Sequence, residues 1–156
     1  MSDVKPIPEG YPTVCTALAI DGAAHAIDFY KRVFGAAERF RMPGPDGKVI
    51  HAELQFGDSV LMLGEPAPEL GILDPKGVGG TPVTLYTYVE DCDAVHAAAV
   101  AAGAKDLRAP TTEFYGDRVA TFEDPWGHRW SVATHVEDVS PEEMDKRMAA
   151  LQGGTA

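Results

Sequence analysis

Three polar side chains recur at every second position in the run Lys48–Phe56: His51, Glu53 and Gln55. That spacing puts them on one face of an extended strand, with Ile50, Ala52, Leu54 and Phe56 on the other. An imidazole beside a carboxylate can be oriented by it or exchange a proton with it near neutral pH. The run Val83–Val89 alternates in the same way, setting Thr84, Tyr86 and Tyr88 against Val83, Leu85, Thr87 and Val89. A tyrosine offers an aromatic wall with a polar tip, which suits a binding pocket. If the apolar rows pack under helices, His51, Glu53, Gln55, Tyr86 and Tyr88 line a concave, ligand-facing side. Each also has an ordinary reading: a solvated strand face for the first three, core filling for the tyrosines.

The other histidines carry less. His25 and His96 fall in helical runs and are expected to face solvent. His128 lies in a turn and is expected to hydrogen-bond within it, while His135 ends a strand, at a cavity mouth or in solvent. Arg118 and Arg129 are expected in surface ion pairs, and Trp130 in the core. A metal site built on His51 and Glu53 lacks clear further ligands.

The elements that must position these residues form two rounds of one pattern. Thr13–Ile20 reads as a strand with Val14, Thr16, Leu18 and Ile20 on one face and Cys15, Ala17 and Ala19 on the other. Asp21 is placed to cap a helix over Ala23–Phe34, which Gly35 ends. Strands at Glu38–Met42, Lys48–Phe56 and Ser59–Leu63 follow. Residues 65–82 hold Pro66, Pro68, Pro75 and Pro82, so a linker without regular structure is expected there. Then the order begins again: strand Val83–Val89, a helix capped by Asp91 over Ala94–Ala102, and strands Asp106–Ala109, Arg118–Glu123 and Arg129–Thr134. The runs AIDFYKRVFGA and AVHAAAVAAGA superpose with Gly35 meeting Gly103. Ser140-Pro141-Glu142-Glu143 is a capping box that opens a last helix reaching Leu151.

Composition narrows the partners. The 156 residues, 45% hydrophobic, are enough for one compact domain with a filled core. The formal charge of −11, from 13 Lys and Arg against 24 Asp and Glu, repels phosphate backbones and anionic membrane surfaces. No nucleic-acid or membrane partner is expected, and a guest should be a cationic or neutral small molecule. Cys15 and Cys92 are too few and too far apart for a disulfide scaffold or a thiolate zinc site. The start lacks a basic flank before an apolar stretch, and no run approaches the ~18 apolar residues of a membrane span. A cytoplasmic protein is the expectation. GVGG at 77–80 lacks a strand-to-helix context, so it is not read as a phosphate cradle.

A doubled βαβββ order with DPWGHRW at the last turn resembles the vicinal oxygen chelate superfamily, which includes glyoxalase I, bleomycin-resistance proteins and extradiol dioxygenases. AIDFYKRVFGA, GKVIHAELQFGDSVLML and DPWGHRWSVATHVEDVSPEEM are similar to its PhnB-like branch. The resemblance spans roughly Tyr11 to Met148. It implies one α+β domain over 1–156: module 11–65, linker 65–82, module 83–136 and a C-terminal helix at 140–151. The two βαβββ modules would form curved mixed half-sheets around a cavity, commonly in a homodimer. Metal enzymes of the superfamily take ligands from the first and last strands of each module. Those positions map here onto Cys15, Thr84, Ser131 and Met62 (Leu61 if the register slips by one), a set without imidazole or carboxylate.

No metal or other cofactor is therefore expected. Three readings stay open: a metal-free small-molecule binding protein, a metal-dependent lyase, isomerase or dioxygenase, and a partner-binding dimer with a vestigial cavity.

Overall fold

The computed structural model describes residues 4–153. It is an α+β fold of two four-stranded mixed sheets, one in each of two compact units that meet in sequence at Thr81 and Pro82. The first unit runs β1 (Thr16–Ala19), α1 (Ala23–Phe34), β2 (Ala37–Pro43), β3 (Val49–Phe56) and β4 (Ser59–Gly64). The second runs β5 (Thr84–Tyr88), α3 (Cys92–Ala101), β6 (Lys105–Thr112), β7 (Asp117–Glu123) and β8 (Arg129–His135), and ends in α4 (Pro141–Gly153). Strand order is β1-β4-β3-β2 in one sheet and β5-β8-β7-β6 in the other. Each βαβββ module pairs its first strand with its last in parallel, and its remaining neighbours run antiparallel.

One helix covers one face of each sheet. α1 buries Ala23, Ala26, Ile27, Tyr30 and Val33 against the row Ala52 and Leu54. Tyr30 meets Phe56 with ring centroids 6.2 Å apart. In the second unit α3 buries Cys92, His96 and Ala99 over Phe122, whose row includes Ala120 and, on β8, Trp130 and Val132. Trp130 is core, as its parity predicts. The expectation that His96 faces solvent is overturned. It lies four residues after Cys92 and three before Ala99, so it belongs to the packed stripe. Its ring lies 6.4 Å from that of Phe122, tilted by 59°, and its Nε2 meets Asp106 Oδ1 at 3.1 Å.

Several element boundaries differ from expectation, three of them in ways that matter. β1 begins at Thr16, and Val14 is exposed rather than part of an apolar row. β6 extends to Thr112 through Pro110, which an edge strand tolerates because its outward N–H is not needed. The segment 65–82 is not without structure. It holds a 3-10 turn at Pro68–Leu70 and one helical turn, α2 (Pro75–Val78), capped by Asp74 accepting from Gly77 N at 3.0 Å. Pro68 and Pro75 occupy first helical positions, where the missing N–H would have gone unpaired anyway.

Helix starts show what caps do. Asp91 accepts from Ala94 N at 3.0 Å, and Ser140 Oγ accepts from Glu143 N at 3.2 Å, both as their spacing predicts. Asp21 does not cap α1. The N-cap is Gly22 in a left-handed conformation (φ 90°), and the cap comes from across the sheet. Glu65, at the end of β4, accepts from Gly22 N at 3.0 Å and from Ala23 N at 3.1 Å. A carboxylate there also complements the positive helix end.

The DPWGH turn is closed by Asp124. Buried to 3% exposure, it accepts from Trp126 N, His128 N and Trp130 Nε1 at 3.0, 2.9 and 3.0 Å.

Replacing Glu65 by Ala should cost about 0.5–2 kcal/mol, the range of a lost helix cap. Asp21→Ala should stay within about 0.5 kcal/mol, as an exposed side chain away from any cap does. Urea unfolding of the two variants beside the parent checks this; equal losses would place the cap on the wrong residue.

Candidate functional site

The sheet face opposite α1 carries the first set of candidates. Glu53 stands between Met62 on β4 and Phe40 on β2, and Met62 in turn faces Ala17 on β1. Although charged, Glu53 is only 8% exposed, and both of its oxygens are engaged. Oε2 accepts from Tyr11 Oη at 2.6 Å, and Oε1 meets His51 Nε2 at 3.2 Å. The hydrogen bond from Tyr11 holds the Glu53 carboxyl below its ordinary range, with His51 adding to it. The same bond raises the Tyr11 phenol. Phe40 lies beside the imidazole, with centroids 6.2 Å apart.

Tyr11 went unread in the sequence. It precedes the first strand, and forty-two residues separate it from its partner. Arg39 fixes it from the other side, with the guanidinium 4.4 Å from the ring centroid and Nη1 donating to Gly10 O at 3.0 Å. Gln55 shares the strand face with His51 and Glu53 but does not join them. Its amide donates to Gly57 O at 2.8 Å and to Ser59 O at 3.2 Å, closing the turn into β4.

The face opposite α3 carries the second set. Tyr86 is in register with Ser131 and Tyr88 with Ala133 on β8, which in turn face Thr121 and Val119 on β7. The two rings are 5.5 Å apart at 59°, and the residues are 49% and 64% exposed. Tyr88 Oη donates to Asp117 Oδ2 at 2.8 Å. Asp117 Oδ1 meets His135 Nδ1 at 2.7 Å, and His135 Nε2 meets Asp138 Oδ1 at 2.9 Å. A chain Tyr88–Asp117–His135–Asp138 results.

Asp117 and Asp138 were not singled out by the sequence. β7 starts one residue earlier than alternation alone suggests, which brings Asp117 opposite His135. Gly116, with φ 98°, accepts through its carbonyl from Val136 N and Glu137 N at 2.9 and 3.0 Å. That close backbone approach holds the chain beyond β8 so that Asp138 can reach back to the imidazole.

Charge settings follow from these partners. Asp138 and then Asp117 raise the His135 pKa above its ordinary value, since both stabilise the imidazolium. Asp117 raises the Tyr88 phenol. Burial, with Tyr115 and Tyr88 adding, raises that of Tyr86. Of the two arginines, Arg118 pairs with Asp93 on the helix-covered side at 2.6 and 2.8 Å, and Arg129 stands exposed opposite Glu123.

The positions at which the resemblance implies metal ligands can be tested on their chemistry. Met62 is on the face opposite α1, and Leu61 is packed inside, so the unslipped register applies. The Cys15 thiol donates to Pro12 O at 3.6 Å, Ser131 Oγ pairs with Thr121 Oγ1 at 3.1 Å, and Thr84 is exposed. One thiol, a thioether and two hydroxyls do not make a divalent-metal shell. Among the described residues, no group of three or more His, Cys, Asp or Glu is placed to hold a metal ion. The implied metal does not fit these residues.

The sequence model of the Glyoxalase/Bleomycin resistance protein/Dioxygenase superfamily matches residues 14–132. An uncharacterized protein of Mycobacterium bovis is 39% identical over 146 residues, spanning 92% of this chain and 96% of that relative. Among solved structures, TioX from Micromonospora sp. ML1 superposes with a TM-score of 0.65 at 26% identity, over 80% of this chain and 99% of its own. A PhnB protein of Bacillus cereus gives 0.62 at 18% identity over 79% and 99%, a likeness of fold alone. Among the described residues no helix is long and apolar enough to cross a membrane.

His135 should titrate above 6.5, its ordinary value. A group whose folded pKa is raised stabilises most below its unfolded value, and the gain disappears as pH rises through the folded one. The parent should therefore exceed His135→Gln in denaturation midpoint near about pH 6, with the gap closing in alkali. Asp138→Asn should move the imidazole titration, followed by NMR, back toward the ordinary value. A gap that widens with pH would contradict the assignment.

Proposed function

This chain belongs to the Glyoxalase/Bleomycin resistance protein/Dioxygenase superfamily, and from that membership we propose that it is a PhnB-like small-molecule binding protein that works without a divalent metal. One observation carries the metal-free half. Cys15, Met62, Thr84 and Ser131 stand where the metal enzymes of the superfamily place their ligands, and none offers an imidazole or carboxylate. The PhnB-like half rests on the runs at 26–36, 47–63 and 124–144.

Binding is supported by two sheet faces on which aromatic and hydrogen-bonding groups are gathered. On the first, His51 and Glu53 offer an oriented imidazole with Phe40 beside it. With Nε2 turned to Glu53, Nδ1 is the nitrogen left to meet a guest. On the second, Tyr86 and Tyr88 present exposed rings whose phenols stay neutral near physiological pH. A chain of net charge −11 favours a cationic or neutral guest. The protein would act in the cytoplasm as a homodimer, since the sheet faces opposite α1 and α3 leave surface for a second copy.

Protein purified without chelators should contain far less than one zinc, nickel, manganese or iron per chain. A thermal-shift screen should find small molecules that raise the melting temperature, because a ligand bound only by the folded state stabilises it. Tyr86→Ala should then weaken the best hit by about 1–3 kcal/mol, the scale of one large side chain removed from a contact surface. Stoichiometric metal, with an activity lost on chelation, would overturn the reading.

A further inference from the structure

We propose that the face of the second unit that carries Tyr86 and Tyr88 takes a small organic cation of the substituted-ammonium class, with Asp117 as the balancing charge. This deepens the binding reading given above and rests on it. Aromatic faces carry negative charge density and attract a cation within about 6 Å of the ring centroid. With centroids 5.5 Å apart and planes at 59°, Tyr86 and Tyr88 form an open angle in which one such group can lie within reach of both. Both residues are substantially exposed, so the rings are available to a guest.

The charges around the rings point the same way. Asp117 is buried to 6% exposure, yet it sits one hydrogen bond from Tyr88. A phenol that donates to a carboxylate is polarised toward phenolate, which enriches its ring in electrons and strengthens its pull on a cation. Asp138 adds a second carboxylate through His135. Of the neighbouring guanidiniums, Arg129 shares this face at its Thr84 end, in register with Glu123, and the others are engaged elsewhere. Arg118 is bound by Asp93 on the other face, Arg147 by Glu137 and Glu143, and Arg108, opposite Thr121, by Glu113. His135 is the titratable base at this end of the face, and it is shared between two acids. Two carboxylates set against one imidazole leave this end of the face net negative, so an anionic guest would meet repulsion here.

The test uses the full chain with choline and 3,3-dimethylbutan-1-ol, which has the same shape without the charge. Tyrosine ring resonances are followed by NMR while each is titrated. Choline should shift Tyr86 and Tyr88 and bind at least about fivefold more tightly than the alcohol, as a cation–π contact with nearby charge predicts. Added salt should weaken choline more than the alcohol. Asp117→Asn keeps an acceptor for Tyr88 while removing the charge, and should erase most of the difference between the two probes. Should that variant lose its fold, Tyr86→Leu serves, and should weaken choline by about threefold or more. Equal binding of the two probes, or choline affinity untouched in Tyr86→Leu, overturns the cation inference while leaving a binding face in place. No response of either tyrosine to both probes, together with an empty thermal-shift screen, overturns the cation inference and the binding reading alike.

Discussion

A four-stranded sheet has two faces, and each unit of this chain covers one of them with a single helix. Strand geometry then decides everything downstream, because alternate side chains go to opposite faces. Under α1 and α3 go the residues that exclude water: Ala52, Leu54 and Phe56 in one unit, Ala120, Phe122, Trp130 and Val132 in the other. The residues between them in sequence have no helix to meet. His51, Glu53, Tyr86, Tyr88 and Asp117 all sit in those intervening rows. A one-residue slip in any of these strands would exchange core for site, so packing of the helix also fixes where the chemistry is.

The acidic composition is partly an instrument of this arrangement. Glu65 ties the end of β4 to the start of α1, and Asp124 ties three donors into the turn before β8. Glu53 and Asp117 do the same on the open faces, each satisfied by a phenol and an imidazole. A buried carboxylate is costly unless its lone pairs are met, and each of these has its partners. The two modules reach this pairing independently, since Tyr11 comes from ahead of β1 whereas Tyr88 lies within β5.

What the sequence discloses is governed by distance along the chain. Strand parity is local, so the face of His51 or Tyr86 could be read from its neighbours, as could the caps Asp91 and Ser140. α3 is a harder case. Its run of alanines gives no contrast between stripes, and a histidine in it looks solvent-facing until Phe122 and Asp106 are seen on its packed side. Tyr11 with Glu53, Glu65 with Gly22 and Tyr88 with Asp117 join residues twenty-nine to forty-three positions apart. No periodicity encodes such pairs; they exist because the fold brings neighbouring strands, two strands flanking a third, or a strand and a leading segment within reach of one another. The same reason hid Asp138, which needs the backbone approach at Gly116 to reach His135.

Pro110 also acts on what lies outside the sheet. It belongs to β6, an edge strand whose pairing with β7 shifts register once between Asp106 and Arg108 and again between Arg108 and Thr111. A strand that lacks one donor and steps out of line twice offers a poor template to a passing chain. β2, the corresponding edge of the first unit, ends in Pro43 and is also stepped, between Glu38 and Phe40 and between Met42 and Pro43. Edges of this kind resist the open-ended stacking by which exposed strands seed fibrils. Both of these strands are thus built to be the last in their sheets.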